Sequence, residues 1–299
     1  MKMKNWITVL TLAFAIAANA ETGSNSTITI KTDRESKQLV EQWIQAYRQI
    51  HPEVSFILVG KAQEANLTYI NNKVDNHAAT YVGRYALLPV TTKENPLLGE
   101  LQKKNWGKED IKKLYFAHID EDIDPDDVAN SGKAGKLRKK LNVYSGANAT
   151  SASAIFARYF GFQNSEFRGT RLSGDDSFLL NAIEDDKESI TFNNLAYLFD
   201  TQSGKLKANL AILPLNTNKE LEETLQHGTL ENIIRALETH TSDVVPVGDF
   251  GFVNDGQNPR AEQFLKWIVK DGQQYNNKAG YLKIDHETTN QQPQLIANR

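Results

Sequence analysis

The residues best suited to chemistry lie between Asn142 and Gly161, in NVYSGANATSASAIFARYFG. A short β-type run ends in small residues, and an amphipathic pattern begins at once. Ala152, Ile155, Phe156, Tyr159 and Phe160 share one face of a helix. Small residues let the backbone turn tightly, and Thr150 or Ser151 is suited to cap the first turn. Free N–H groups and hydroxyls at a helix start attract an anion, with the helix dipole behind them. Asn148, Thr150 and Ser151 are the candidate ligands here. A capped helix with nothing bound is the plainer alternative.

Cationic side chains near other loops fit the same chemistry. Arg34 opens the first predicted helix, Lys61 follows Gly60 after the second strand, and Arg84 follows Gly83 inside a strand pattern. The first two lie where ligands of α/β sheets gather. Each is equally at home as an ordinary surface charge.

Signatures of catalysis are missing. Six histidines (His51, His77, His118, His227, His240 and His286) form no His-x-x-x-His pair, and no serine sits in a Gly-x-Ser-x-Gly elbow. The pairs Asp175-Asp176 and Asp185-Asp186 read as helix-flanking or turn acids rather than as paired catalytic carboxylates. There is no P-loop and no dinucleotide fingerprint, so no cofactor is called for. Asp120, Asp122, Asp124 and Asp126 have the spacing of a calcium loop. Pro125 fills its glycine slot, however, and Ser131 its closing-glutamate slot. A solvated acidic loop over 118–136 is expected, without a metal.

The elements that must position these residues follow from composition and pattern. The chain has 299 residues, a formal net charge of −3 and no cysteine. That balance gives no reason to expect nucleic acid or an anionic membrane as partner, and the missing thiols exclude disulfides and thiolate chemistry. Residues 1–20 read as an export signal: Lys2 and Lys4, an apolar run over 7–17, and the cleavage site Ala18-Asn19-Ala20. A periplasmic or secreted protein, not embedded in a membrane, is expected.

A strand over 27–31, a helix over 34–50 capped by Asp33, and a strand over 54–59 make a βαβ unit. The helix buries Leu39, Val40, Trp43, Ile44, Tyr47 and Ile50. Further on come a short helix near 67–74 and a strand over 80–90. A turn is expected at 169–171, a strand over 244–253 broken by Pro246, and a helix over 259–271 capped by Asn258. Strands and helices alternate throughout, which argues for α/β layers.

Four stretches, in this order, give the chain a resemblance to the phosphate-type periplasmic substrate-binding proteins of ABC transporters. They are ITIKTDRESKQLVEQWIQAYRQIHPEVSFILVG, VGRYALLPVTTKENPL, the Asn142–Gly161 stretch, and PRAEQFLKWIVKDGQQYNNKAGYLKI. The resemblance implies a two-lobed α/β fold of the type II periplasmic-binding-protein kind, each lobe a mixed sheet flanked by helices, joined by hinge strands. Lobe one would comprise 21–88 and 246–287, lobe two 89–245, and 288–299 a loose tail.

By the same resemblance the family's Ser-Gly-Thr anion loop falls on Thr150-Ser151-Ala152. Its first-loop hydroxyl falls on Thr32 or Arg34, and its second-loop serines on Lys61-Ala62. The loop arginine falls on Ser145-Gly146 and is missing, and the family's acid has no clear counterpart near 75–80. The implied role is capture of phosphate or a similar oxyanion for an ABC transporter permease, without catalysis. Two other readings stay open: a scaffold whose cleft has lost its ligand, and a hydrolase on an unrelated α/β fold.

Overall fold

The computed structural model describes residues 27–34, 36–60, 62–71, 79–117, 132–148, 151–285 and 288. The predicted export signal at 1–20, the acidic run 118–131 and all of the tail but Thr288 lie outside the described residues.

The chain opens with strand β1 (Thr27–Lys31), helix α1 (Lys37–Ile50) and strand β2 (Ser55–Val59). β1 and β2 run parallel from Thr27 opposite Ser55, the expected βαβ unit. Helix α1 starts three residues later than its pattern suggests. The Asp33 carboxylate instead accepts the Ser36 N–H at 2.7 Å, and the Thr32 and Ser36 hydroxyls meet at 2.6 Å, holding a turn ahead of the helix. Leu39, Val40, Trp43 and Tyr47 are buried as expected, whereas Ile50 is 57% exposed at the helix's last position.

The segment read as a short helix contains strand β3 (Leu67–Ile70). It pairs parallel with β1 and antiparallel with β11 (Val247–Asn254). Asn66 fixes this arrangement by accepting the Thr29 N–H at 3.0 Å and donating its own N–H to the Thr29 hydroxyl at 2.9 Å.

Strand β4 (Ala79–Thr92) runs through the middle of the molecule. Its first part pairs antiparallel with β11 as far as Ala86 opposite Val247. From Leu87 onward its partners are β7 (Ser189–Asn194) and β10 (Leu210–Ile212). The strand order is β2-β1-β3-β11-β4-β7, then β5 (Asn142–Gly146) and β6 (Thr170–Leu172), with β10 also on β4. The turn expected at 169–171 is thus largely taken up by an edge strand, β6, parallel to β5.

Helices α2 (Leu98–Leu101), α3 (Lys108–Tyr115) and α4 (Gly132–Arg138) precede β5, α5 (Ala152–Tyr159) and α6 (Ser177–Asp185) pack against β5 and β7, and α7 (Leu195–Leu198) follows β7. Helix α4 occupies part of the stretch expected to be irregular. It forms because Ala134 and Leu137 are buried, while the Arg138 guanidinium caps carbonyls of Lys113, Phe116 and Ala117 at the end of α3. The hairpin β8 (Phe199–Asp200) and β9 (Lys205–Leu206), then α8 (Lys219–His227) and α9 (Leu230–Thr239), lead back to β11.

Two aromatic nests fill the core. Trp43, Tyr69, Phe250 and Phe252 pack under α1, and Phe156 stacks on Phe192 at 4.0 Å under α5. The closing helix α10 (Pro259–Trp267) gives way to a π turn, Ile268–Gly272, rather than continuing to 271. The Gly272 carbonyl of that turn accepts the Trp43 indole N–H at 3.1 Å. Helix α11 (Gln273–Lys278) follows. Among the described residues, no helix is long and apolar enough to cross a membrane.

Candidate functional site

The C-terminal ends of β1 and β5 each lead into a helix, and both helix starts carry residues predicted from sequence. At β5 the predicted cap is present. Ser151 is the N-cap of α5: its Oγ accepts the Ala154 N–H at 3.4 Å and donates to the Asn148 carbonyl at 2.7 Å. The Gly146 N–H donates to Ser153 Oγ at 2.6 Å, closing the turn on itself. The Asn148 amide donates to the Gly174 carbonyl at 2.9 Å and so holds this loop to the next one. Thr150 and Lys61 lie outside the described residues.

The loop before α6 supplies what the sequence reading did not. Asp176 sits at the N-cap of α6, yet its side chain makes no capping bond there. Its Oδ2 instead accepts the Ala152 N–H of α5 at 2.9 Å. Its backbone carbonyl accepts the Asn193 amide at 2.8 Å. Gly146 makes room for this contact: a Cβ there would stand 3.0 Å from Ser151 Oγ and 3.3 Å from Asp176 Oδ1. A carboxylate of the chain itself therefore occupies the position at the start of α5 where an anion was expected.

Charge ties this loop to the start of α1. Burial pushes the Asp176 carboxyl up to about 6, with Asp175 and Asp33 adding to the rise and the Ala152 N–H opposing it. Burial also pushes Asp175 upward, but bonds from Ser177 and Tyr197, with the Arg34 charge, outweigh it and hold Asp175 low. Its Oδ1 accepts the Ser177 N–H at 2.9 Å and the Tyr197 hydroxyl at 3.0 Å. Asp33 and Arg34, at the start of α1, are thus brought within electrostatic reach of the starts of α5 and α6.

Of the predicted residues, Thr32 and Arg34 lie on the loop leading into α1, and Asn148 and Ser151 on the loop leading into α5. Arg84 is engaged elsewhere. Its Nε donates to the Lys283 carbonyl at 2.9 Å, its guanidinium lies 3.6 Å from Asp285, and its backbone exchanges two hydrogen bonds with Leu282. It secures the C-terminal segment on β4. Asp175 and Asp176 are the helix-flanking acids the sequence suggested. What the pattern did not disclose is that one of them seats on a helix beginning 24 residues earlier. Among the described residues, no group of three or more histidines and acids could hold a metal ion.

No family model matches the chain, and no curated protein matches it. Solved structures do. One is described as a phosphate ABC transporter substrate-binding protein with bound phosphate, from Clostridium perfringens. It is 13% identical over 87% of this chain and 100% of its own, with a TM-score of 0.58. Another is an ABC-type phosphate transport receptor from Vibrio cholerae, 12% identical over 86% of this chain and 100% of its own, TM-score 0.56. At such identities the likeness shows the fold. The chain has the two-lobed α/β fold of type II periplasmic binding proteins, as its sequence resemblance implies.

Proposed function

We propose that this chain is an exported solute-binding protein that closes its two lobes around a small oxyanion, phosphate or a close analogue, for an ABC transporter permease. Supporting the reading are the two matched structures, described as phosphate-binding and phosphate-transport proteins. The single observation that carries it is local. A helix start capped by Ser151 holds Asp176 through the Ala152 N–H, and a cationic side chain at Arg34, following a different strand, acts on the adjacent Asp175. The lobes would be 21–88 with 246–287, and 89–245. The exchange of β4's partners between Ala86 and Leu87 supports that division, as does the Leu87 N–H bonded to the Pro246 carbonyl at 2.9 Å.

The test is titration calorimetry with phosphate, sulfate and molybdate, alongside thermal melts. The expected result is saturable binding of at least one oxyanion with a raised melting temperature. Arg34→Ala is expected to weaken it about tenfold or more, by removing one charge-assisted hydrogen bond. Absence of binding for all three ions, or binding indifferent to Arg34, overturns the reading. A scaffold protein on the same fold would give the first of those results.

A further inference from the structure

We propose that Asp176 is a resident competitor for the anion seat at the start of α5, so that the cleft loads best when this side chain is neutral. The proposal rests on the anion reading above. Its basis is geometric. The Asp176 carboxylate makes no capping bond on its own helix, where Asp175 takes the Ser177 N–H, and reaches instead to the Ala152 N–H, with Gly146 giving it the space. A guest oxyanion would have to share that N–H or displace the carboxylate.

The surrounding charges make sharing costly. Among the described residues, the groups acting on Asp176 are Asp175 beside it, Asp33 from the start of α1 and the Ala152 N–H of α5, while Arg34 acts on neighbouring Asp175. Three acids then face one arginine, so an arriving anion meets net repulsion, which halves when one acid takes up a proton. Asp176 is the acid poised to do so: burial raises it to about 6, whereas Asp175 is held low. A neutral Asp176 neither repels the guest nor holds the N–H as firmly.

Sulfate is the probe, because it carries the same charge throughout the working range. Calorimetry on the full protein between pH 7.5 and pH 5 is expected to show affinity rising about thirtyfold. That follows if only the protonated form is competent, because the competent fraction grows by that factor. Asp176→Asn is expected to bind at pH 7.5 about as tightly as the native protein does at pH 5, with a flat profile. Asp176→Ser gives a second comparison with a smaller side chain, and the native pH series needs no variant.

Sulfate binding that is independent of pH, or weaker in Asp176→Asn at pH 7.5, overturns the proposal and leaves the anion reading standing. The second result would make Asp176 an acceptor for the ligand rather than its rival. Failure of both native protein and variant to bind sulfate or phosphate at every pH removes both ideas together.

Discussion

Ser151 and Asp176 both act on one helix start, by different means. The serine closes the first turn with its own oxygen, while Asp176 brings a charge from a distant loop. Ser151→Ala is expected to cost about 1 kcal/mol of stability, read as a lower urea midpoint with an unchanged slope. Asp176 has the opposite sign at neutral pH. Its pKa is raised on folding, so between about pH 4 and 6 the folded state holds a proton that the unfolded state has released. Its contribution therefore falls as pH rises through that window. Urea midpoints of Asp176→Asn relative to native are expected to move in favour of the variant from pH 4 to pH 7. A difference that stays constant, or moves the other way, means the carboxylate is not strained by its seat. The serine cap was legible because capping is a local pattern. The aspartate contact was not, because nothing within a few residues of Asp176 points to Ala152.

Elements were legible where one face of a continuous pattern meets the core. Helix α1 shows its stripe of Leu39, Val40, Trp43 and Tyr47, and α10 its Asn258 cap with Pro259 at the first position. β3 was not, since four residues carry no decisive period and β1 and β11 hold them from both sides. Helix α4 is likewise made by its burial against α3, since its Gly-rich sequence is a poor helix former. The same logic separates two substitutions. Phe156→Ala removes a ring stacked on Phe192 beneath α5 and is expected to cost about 3–5 kcal/mol. Ile50→Ala, on an exposed last turn once expected to be buried, should stay within about 0.5 kcal/mol. Chemical denaturation of the pair measures both.

Across the whole molecule, β4 is the element that would have to bend for the proposed cleft to close. It carries β11 up to Ala86 and β7 from Leu87, so bending near that point would swing one set of helix starts toward the other. Each loop that would meet the guest is held locally: the Asn148 amide to the neighbouring loop at Gly174, the Asp33 carboxylate to Ser36 ahead of α1, and the Asp176 carbonyl to Asn193 of β7. Such loops are expected to travel as rigid parts, leaving the crossing strands to absorb the motion. Binding should then make the protein more compact without changing its secondary structure. Small-angle scattering with and without saturating oxyanion is expected to show a smaller radius of gyration in the bound state, with an unchanged far-ultraviolet circular dichroism spectrum. Arg34→Ala, lacking the cation that reaches across from α1, should keep the open dimension at the same ligand concentration. Ligand that binds tightly by calorimetry yet leaves the radius unchanged would mean one lobe holds it alone. In that case Arg34 acts from a distance, and β4 is a spacer rather than a hinge.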